Sequence, residues 1–268
     1  MGLLLQVTGL TKRYGRLTAL SDVSFVIRPG EVLGLIGPNG SGKTTLFECL
    51  GGVLPADAGR VQSLPPSLKL RRTAVAQSAE AGRPGSGQAD GRTLAAHERA
   101  AAMFYLPDAI APWPAQTVRW ALDFTVGFFG TTNDELRTVN DVVRQLDLEP
   151  LLDSTIGTLS KGQRKRALLA IGLLTPQPVL LADEPFDGLD LRQSRDVART
   201  LRAHAATGRT LVLSIHQITD AARVCDRFVL LSGGHVRGEG TLDELSDVAS
   251  RRGGSRTSDL EEVFLALT

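Results

Sequence analysis

The sequence predicts an α/β fold in which helices cover a mostly parallel β-sheet. Short apolar runs typical of buried strands alternate with longer segments in which apolar residues recur at helical spacing. A strand over residues 31–36 precedes a helix over 43–50, and a strand over 179–182 precedes a helix over 191–201. This alternation is typical of a parallel sheet whose strands are joined by helices.

Length and composition indicate one main domain with an ordinary globular core. The chain has 268 residues, of which 42% are hydrophobic and 22% charged, and this is enough to bury one sizeable core. Thirty basic and twenty-nine acidic residues give a net charge of +1, so the bulk charge favours neither nucleic acid nor a bare lipid surface as a partner. We expect no nucleic acid partner, and a membrane role would require an intermediary protein.

Targeting signals and cysteine usage indicate the cytoplasm. Residues 1–7 lack the basic and apolar regions of a signal peptide and are interpreted as an opening β-strand. No stretch approaches the roughly 18 to 20 apolar residues that a membrane-spanning helix needs. Cys49 and Cys225 lie far apart in apolar segments, which suits buried free thiols in a reducing compartment better than a disulfide.

Local composition and apolar spacing along the chain predict how the single domain is organised. Residues 78–92 are rich in Gly, Ala, Ser and Pro and have no apolar periodicity, so we expect a flexible surface insertion. The middle section carries apolar residues at helical spacing, namely Leu136, Val139, Val143 and Leu146. We therefore predict a catalytic core over 1–105 and 176–240, a helical subdomain over 106–175, and a tail over 241–268 with a short helix over 259–267.

A phosphate-binding loop is predicted at residues 37–45, which read GPNGSGKTT and match G-x-x-x-x-G-K-[ST] between a predicted strand and helix. Its glycines let backbone N–H groups face phosphate oxygens, and the helix N-terminus adds a positive dipole. We expect Lys43 to reach the β- and γ-phosphates and the Thr44 hydroxyl to ligate Mg²⁺. A chance glycine-rich turn is the disfavoured alternative. The predicted nucleotide-binding residues of the loop are Gly37, Asn39, Gly40, Ser41, Gly42, Lys43, Thr44 and Thr45.

An acidic pair follows the predicted strand at 179–182, at the edge where an α/β sheet presents side chains to a ligand. Asp183 is expected to hold Mg²⁺ through water, and Glu184 to orient and polarise the water that attacks the γ-phosphate. Alone, such a pair would be a solvated turn or a helix cap; with the phosphate loop, catalysis is favoured. His216 ends a second strand pattern at 211–215, and spacing does not decide between a structural role and contact with the γ-phosphate.

The segment 159–163, LSKGQ, is similar to the LSGGQ signature of ATP-binding-cassette (ABC) transporters, with Lys161 in place of the first glycine. With the motifs above, nearly the whole chain except the insertion resembles the nucleotide-binding subunits of that family. Ser160 and Gly162 stand at the start of a predicted helix over 161–174, where hydroxyl and N–H groups make a second anion site. Without the other motifs, Ser160 would be interpreted as a simple helix cap.

The resemblance implies a fold, cofactors and partners. The fold is a phosphate-loop NTPase core with a mostly parallel sheet, an antiparallel β edge subdomain and a helical subdomain. ATP and Mg²⁺ are implied, with two ATP molecules buried between two head-to-tail cassettes that are identical or different. Ser160, Gly162 and Gln163 of one cassette would meet the γ-phosphate held by the other. Transmembrane permease subunits would hold the chain at the cytoplasmic face of the cell membrane.

Three further residues take roles by resemblance. Tyr14 matches the aromatic residue that stacks on adenine, although it could be a surface tyrosine in an edge hairpin. Asp190, in the segment FDGLD, would couple the two sites of the dimer, cap the following helix, or do both. His216 matches the switch histidine of the family, which favours its catalytic role.

The sequence departs from the family at the glutamine that meets Mg²⁺ and the attacking water. Asp108 follows Tyr105, Leu106 and Pro107 at the corresponding place. An aspartate offers oxygen to Mg²⁺ but adds negative charge and donates no N–H group, so we expect slow or unusually metal-dependent turnover. Gln77 is the competing candidate, but its loop would have to span the insertion, and Asp108 is preferred.

The tail and the signature favour export over import. Residues 258–268 resemble the end of export-type cassettes, and LSKGQ points the same way. Trp113 and Trp120 could dock the membrane subunits, although core packing is the more usual role of such residues. The identity of the transported substrate does not follow from the sequence.

Two other functions share these motifs. A soluble cassette ATPase of translation, DNA repair or cluster assembly would usually have paired cassettes or long coiled coils, which the sequence lacks. A regulatory subunit with weakened hydrolysis is suggested by Asp108 and Lys161. The intact residues Lys43, Asp183, Glu184 and His216 argue against it.

Overall fold

The structure is a computed structural model that describes residues 4–64, 91–108, 110–129, 133–251 and 257–268. The strands are β1 Leu4–Tyr14, β2 Leu17–Ile27, β3 Val32–Ile36, β4 Ala58–Leu64, β5 Arg92–Thr93, β6 Met103–Leu106, β7 Val179–Asp183, β8 Thr210–Ile215, β9 Arg227–Ser232 and β10 His235–Gly240. The helices are α1 Lys43–Leu50, α2 Ala96–Ala102, α3 Val118–Phe129, α4 Asn133–Gln145, α5 Lys161–Leu174, α6 Leu191–Ala206, α7 Ile218–Val224, α8 Leu242–Arg251 and α9 Leu260–Leu267.

A six-stranded sheet in the order β10-β9-β3-β8-β7-β6 forms the centre of the described chain. All neighbours pair in parallel except β10, which is antiparallel to β9. Strands β3, β7 and β8 are buried at every position, as expected where both faces of a sheet are covered. The predicted α/β fold is confirmed. The carboxyl ends of β3, β6, β7, β8 and β9 share one edge of the sheet, here named the carboxyl edge.

The antiparallel β edge subdomain implied by the resemblance is present as a sheet in the order β2-β1-β4-β5. Strands β1 and β2 form a hairpin in which Tyr14 lies opposite Leu17. Residues 78–90 of the predicted insertion lie outside the described residues. The prediction is wrong at Arg92, which belongs to β5 and pairs with β4, because a two-residue strand is too short to show periodicity.

Helices α3, α4 and α5 form the helical part that the apolar spacing predicted. Val143 and Leu146 are buried, and Val139 packs against the same core, while the side chain of Leu136 lies outside the description. Helix α5 has the predicted limits. Both α3 and α4 pack against α5, so α5 joins the helical part to the central sheet.

The tail folds back onto the domain. Helix α9 packs against α7 and α8, and its residues Leu260, Val263 and Leu267 are buried. Within the described ranges, every helix falls short of the length and apolarity that crossing a bilayer requires. Cys49 and Cys225 are buried free thiols, as predicted.

A buried ion cluster ties the two sheets together. Arg227 on β9 donates to both carboxylate oxygens of Glu31, at 3.2 and 3.1 Å, and to Glu239 on β10 at 2.6 Å. Glu239 also accepts the backbone N–H of Val26 on β2 at 3.1 Å. Burial raises the pKa of Glu31 and the Arg227 charge opposes that rise, so the cluster depends on the pairing of its charges.

A half-buried arginine, Arg209, caps the C-terminal end of α5. Arg209, just before β8, donates to the carbonyl of Gly172 at 2.8 Å and to the Thr175 hydroxyl at 2.8 Å, and so serves a helix end whose carbonyls lack partners within the helix. Burial lowers its pKa to about 10. Burial, followed by the Arg209 charge, lowers the pKa of His204 on α6 to about 4. His204 is therefore held neutral in the folded chain.

Candidate active site

The phosphate loop, residues 37–45, leaves the end of β3 and enters α1 as predicted. At Gly37, a Cβ atom would lie 2.2 Å from the carbonyl oxygen of Leu231. Gly42 has a φ of +104°, and a Cβ there would lie 2.6 Å from the carbonyl oxygen of Ala19. Neither position accepts a side chain, so the backbone itself forms the curve that exposes N–H groups to an anion.

Lys43 is buried at the start of α1 and faces the loop. Its ammonium donates to the carbonyl of Gly37 at 2.8 Å and to that of Pro38 at 3.2 Å. The same nitrogen lies 3.8 Å from Oε1 of Glu184. Burial lowers the pKa of Lys43, and the charges of Glu184 and Asp183 counter this. The amine is thus placed between the phosphate loop and the acidic pair.

Asp183, the last residue of β7, is held by two hydroxyl groups. The Thr44 hydroxyl donates to Asp183 Oδ2 at 2.9 Å, and the Ser214 hydroxyl donates to Oδ1. Ser214 faces Asp183 because β7 and β8 pair in parallel at these residues. The two predicted Mg²⁺ ligands, Thr44 and Asp183, are therefore adjacent. Sequence reasoning missed Ser214, although a lone serine in the apolar run LVLSI could have drawn attention to it.

Glu184 leaves β7 in a backbone conformation that is rare for a residue with a side chain. Its φ is +50°, in the left-handed region that costs free energy for non-glycine residues. Its N–H group donates to the Ser214 carbonyl at 3.2 Å and hydroxyl at 3.1 Å. Its carboxylate contacts Nδ1 of His216. The predicted catalytic residues Lys43, Glu184 and His216 thus form one contact network.

Asp108 lies just beyond β6 and pairs with Lys165 of α5. The Lys165 side chain is only 4% exposed, and its ammonium also donates to the Asp183 carbonyl at 3.4 Å. The ion pair brings Asp108 to the carboxyl edge and balances its charge. Sequence reasoning missed Lys165, because helix lysines are usually solvated. Gln77, the competing candidate, lies outside the described residues.

The signature segment forms the capped start of α5. The Ser160 hydroxyl accepts the Gln163 N–H at 3.3 Å, and the Ser160 N–H donates to Gln163 Oε1 at 2.9 Å. This reciprocal cap confirms the predicted helix start. A Cβ at Gly162 would lie 2.6 Å from the Gly188 carbonyl oxygen, so α5 packs closely on the loop after the acidic pair. Lys161 donates to Asp187 in that loop, and this bond lowers the pKa of Asp187.

Tyr14 and Asp190 are both exposed and lie at the boundary of a secondary-structure element. Tyr14 ends the β1 hairpin strand with 46% of its surface exposed, and the Lys12 amine lies 5.6 Å from its ring centroid. Asp190 Oδ1 accepts the Gln193 N–H at 2.8 Å and caps α6. The cap is confirmed, whereas adenine stacking by Tyr14 and dimer coupling by Asp190 stay predictions.

A cluster of exposed aromatic residues, Trp113, Trp120, Phe124 and Phe128, lies on one side of α3 and is here named the aromatic face. The rings of Trp120 and Phe124 stack with centroids 5.0 Å apart, and Trp113 meets Trp120 at 5.6 Å. Exposure ranges from 37% at Trp120 to 72% at Phe128. Core packing, the more usual role of Trp113 and Trp120, is therefore wrong here, because the opposite side of α3 already supplies the core.

The oxygen atoms at the carboxyl edge fit a magnesium–nucleotide complex. Thr44 and Asp183 offer the hard oxygen ligands that Mg²⁺ prefers. The hydroxyl groups of Ser41 and Tyr105 are buried without a hydrogen-bond partner in the described part of the chain. Buried hydroxyl groups usually have a hydrogen-bond partner. The two unpartnered hydroxyls therefore favour a ligand at this edge that supplies further oxygen atoms, as a nucleotide would.

Comparisons with known proteins agree with this geometry. The sequence profile described as "ABC transporter" matches residues 20–187. Hemin import ATP-binding protein HmuV of Thermobifida fusca is 33% identical over 90% of this chain and 80% of its own length. Nod factor export ATP-binding protein I of Ralstonia nicotianae is 31% identical over 90% of this chain and 68% of its own length. A solved ATP-binding subunit of an ABC transporter matches 98% of this chain and 99% of its own with a TM-score of 0.79 and 27% identity.

The chain therefore belongs to the ABC transporter family. Within that family it is an ATP-binding subunit, the component that hydrolyses ATP to drive transport. Such subunits dimerise and work with transmembrane permease components.

Proposed function

We propose that the chain hydrolyses Mg-ATP through the contact network at its carboxyl edge and thereby powers export through permease subunits at the cytoplasmic face of the cell membrane. The observation that carries the proposal is the convergence of Lys43, Thr44, Asp183, Glu184 and His216. These residues lie at or just after the carboxyl ends of β3, β7 and β8, and their side chains contact one another.

The phosphate loop and Lys43 bind the triphosphate. The Lys43 amine faces the loop and donates to its carbonyls, and the β- and γ-phosphates bind beside it. Tyr14 stacks on the adenine from the edge of the antiparallel sheet. Loop backbone, amine and ring together hold one ATP in a defined orientation.

Thr44 and Asp183 hold Mg²⁺, and Asp108 is a further candidate ligand. When bound, Mg²⁺ neutralises charge on the β- and γ-phosphates. The Lys165 ammonium beside Asp108 offsets the negative charge that an aspartate would bring to this position. Turnover is consequently less impaired than the sequence alone led us to expect.

Glu184 positions the water that attacks the γ-phosphate, with His216 and Lys43 fixing its carboxylate from two sides. The strained backbone at Glu184 holds the side chain in one direction, which is the kind of pre-organisation that catalysis requires. His216 also contacts the γ-phosphate. The two neighbouring acids thus have separate tasks.

A second chain completes the site in a head-to-tail dimer of identical or different subunits. Ser160, Gly162 and Gln163 at the start of α5 bind the γ-phosphate of ATP held by the partner, where a helix N-terminus favours negative charge. Asp190 couples the two sites. Because two surfaces recognise the γ-phosphate, ATP favours closure and ADP favours opening.

The aromatic face is the docking surface for the permease. Exposed aromatic rings in contact with one another are typical anchors of protein interfaces, and this face begins five residues after Asp108.

Relatives named for import and for export both match the chain. The tail and the signature favour export, as does the likeness to the Nod factor export subunits.

Steady-state ATPase measurement of the purified chain beside Glu184→Gln tests the proposed mechanism. We expect the variant to lose at least about 100-fold in rate, as for removal of a general base, while ATP affinity is kept. Glu262→Gln, the same chemical change at an exposed site on α9, should leave the rate unchanged. Equal rates for the wild type and Glu184→Gln, also with permease present, would instead support a regulatory subunit.

A further inference from the structure

Tyr105 on β6 has a hydroxyl group that the mechanism above does not use. That oxygen is buried and has no hydrogen-bond partner in the described part of the chain. A buried donor without an acceptor destabilises the fold. Such a group at the carboxyl edge indicates either a functional role or a partner that binds there.

Packing fixes the place of this hydroxyl. The Tyr105 ring meets Phe47 of α1 edge-on, with centroids 6.1 Å apart and an interplanar angle of 80°. One turn further along the same helix, a Cβ at Gly51 would lie 3.1 Å from the Cβ of Tyr105. The ring is therefore held against the helix that begins with the phosphate loop, and its hydroxyl has little freedom to turn toward solvent.

The surroundings of the hydroxyl are acidic. Burial raises the pKa of Tyr105, and the negative charges of Asp183 and Glu48, followed by a hydrogen-bonding interaction with the Asp183 side chain, raise it further. Asp183 accepts hydrogen bonds from Thr44 and Ser214, and a carboxylate with about four lone-pair sites can accept more. A fixed O–H donor thus lies beside a carboxylate that has free acceptor sites.

We propose that Tyr105 is a positioning residue of the Mg²⁺ site. Its hydroxyl donates a hydrogen bond into the oxygen atoms gathered around Asp183 when Mg²⁺ and nucleotide bind, and so holds the carboxylate in register with Thr44. In the structure the hydroxyl interacts with Asp183 without forming a hydrogen bond of normal length, and this contact tightens when Mg²⁺ orders the carboxylate, which favours metal binding. This inference rests on the proposed use of Asp183 and Thr44 for Mg²⁺.

Tyr105→Phe tests the role because it removes the hydroxyl and keeps the ring against Phe47. Binding of a fluorescent ATP analogue is titrated with Mg²⁺ in the Glu184→Gln background, where hydrolysis does not interfere. We expect the half-saturating Mg²⁺ concentration to rise about fivefold, as for loss of one hydrogen bond. Nucleotide affinity in EDTA and the melting temperature should not fall. An unchanged Mg²⁺ requirement overturns the proposal.

Three controls separate the alternatives. Thr125→Val removes another buried hydroxyl, on α3, and should leave the Mg²⁺ requirement unchanged; an equal rise there would mean that the effect is general destabilisation. Tyr105→Leu should lower the melting temperature because the ring contacts are lost. If Asp183→Asn leaves the Mg²⁺ requirement unchanged, the proposed metal site is wrong. If Asp183→Asn raises it and Tyr105→Phe does not, only the inference on Tyr105 fails.

Discussion

Asp183 and Glu184 are neighbours in sequence, yet each carboxylate has its own set of partners. Asp183 accepts from Thr44 and Ser214, whereas Glu184 contacts Lys43 and His216. The separation follows from the backbone, because the left-handed conformation of Glu184 turns the chain after the end of β7. Two adjacent acids can therefore serve metal binding and water activation separately.

The residues that the sequence predicted differ in kind from those it missed. Lys43, Thr44 and the acidic pair belong to short local patterns whose spacing carries their chemistry. Ser214 and Lys165 act through strand register and helix packing, and no local pattern encodes such tertiary contacts.

The ion pair between Asp108 and Lys165 gives a stability prediction at this scale. Asp108→Asn leaves the buried Lys165 ammonium without a carboxylate, so we expect the free energy of unfolding to fall by about 1 to 2 kcal/mol. Urea unfolding without nucleotide measures the change. Adding Lys165→Met should recover part of the loss, since the unpaired charge is then gone. Equal stability of Asp108→Asn and the wild type would contradict this account of the pair.

At the scale of the element, helix α3 has two apolar sides, and the sequence does not show which of them faces the core. Helix α3 buries Val118, Leu122 and Val126 and exposes Trp120, Phe124 and Phe128. Its spacing indicates a helix, but both stripes are apolar, so periodicity cannot tell which stripe faces the core. The position of α5 beneath α3 decides this, and that contact is tertiary.

The aromatic face yields a prediction about the partner. The double variant Trp120→Ser and Phe124→Ser should lose most of its co-purification with the permease from solubilised membranes, because interface aromatics carry much of the binding energy. Leu265→Ser, at a 70% exposed site on α9, is the matched control and should still co-purify. Full co-purification of the double variant would place the docking surface elsewhere.

His204, near the end of α6, predicts a pH dependence of the free energy of unfolding. The pKa of His204 is about 4 in the folded chain against 6.5 ordinarily, so below pH 6.5 the unfolded chain binds more protons. The stability that depends on neutral His204 is complete above pH 6.5 and is lost progressively as the pH falls to about 4. Chemical unfolding at a series of pH values should show a smaller loss over this range for His204→Gln. Identical pH profiles for the two proteins would exclude His204 as a cause.

At the scale of the whole molecule, the carboxyl edge exists because the central sheet brings the carboxyl ends of five parallel strands together. The alternation of strands and helices predicted the parallel sheet, and the resemblance implied the antiparallel one. Sequence reasoning could not give the strand order, the short strand β5 or the buried cluster around Arg227. Each of these depends on contacts between residues far apart in the chain.

The same architecture explains why we expect one chain to form only half of each γ-phosphate site. The start of α5 is a capped helix N-terminus that carries Ser160 and Lys161 exposed to solvent, as a surface awaiting an anionic partner would be. The phosphate loop supplies the other half of the γ-phosphate site. In a head-to-tail pair, the phosphate loop of each chain would face the start of α5 of the other chain, so two complete γ-phosphate sites would form.

Light-scattering mass measurement of the Glu184→Gln chain, with and without Mg-ATP, tests this central claim most directly. The account predicts that the mass doubles with Mg-ATP but not with Mg-ADP, and that Ser160→Ala weakens the pairing. A mass that stays that of one chain at saturating Mg-ATP, also in the presence of the permease, would contradict it.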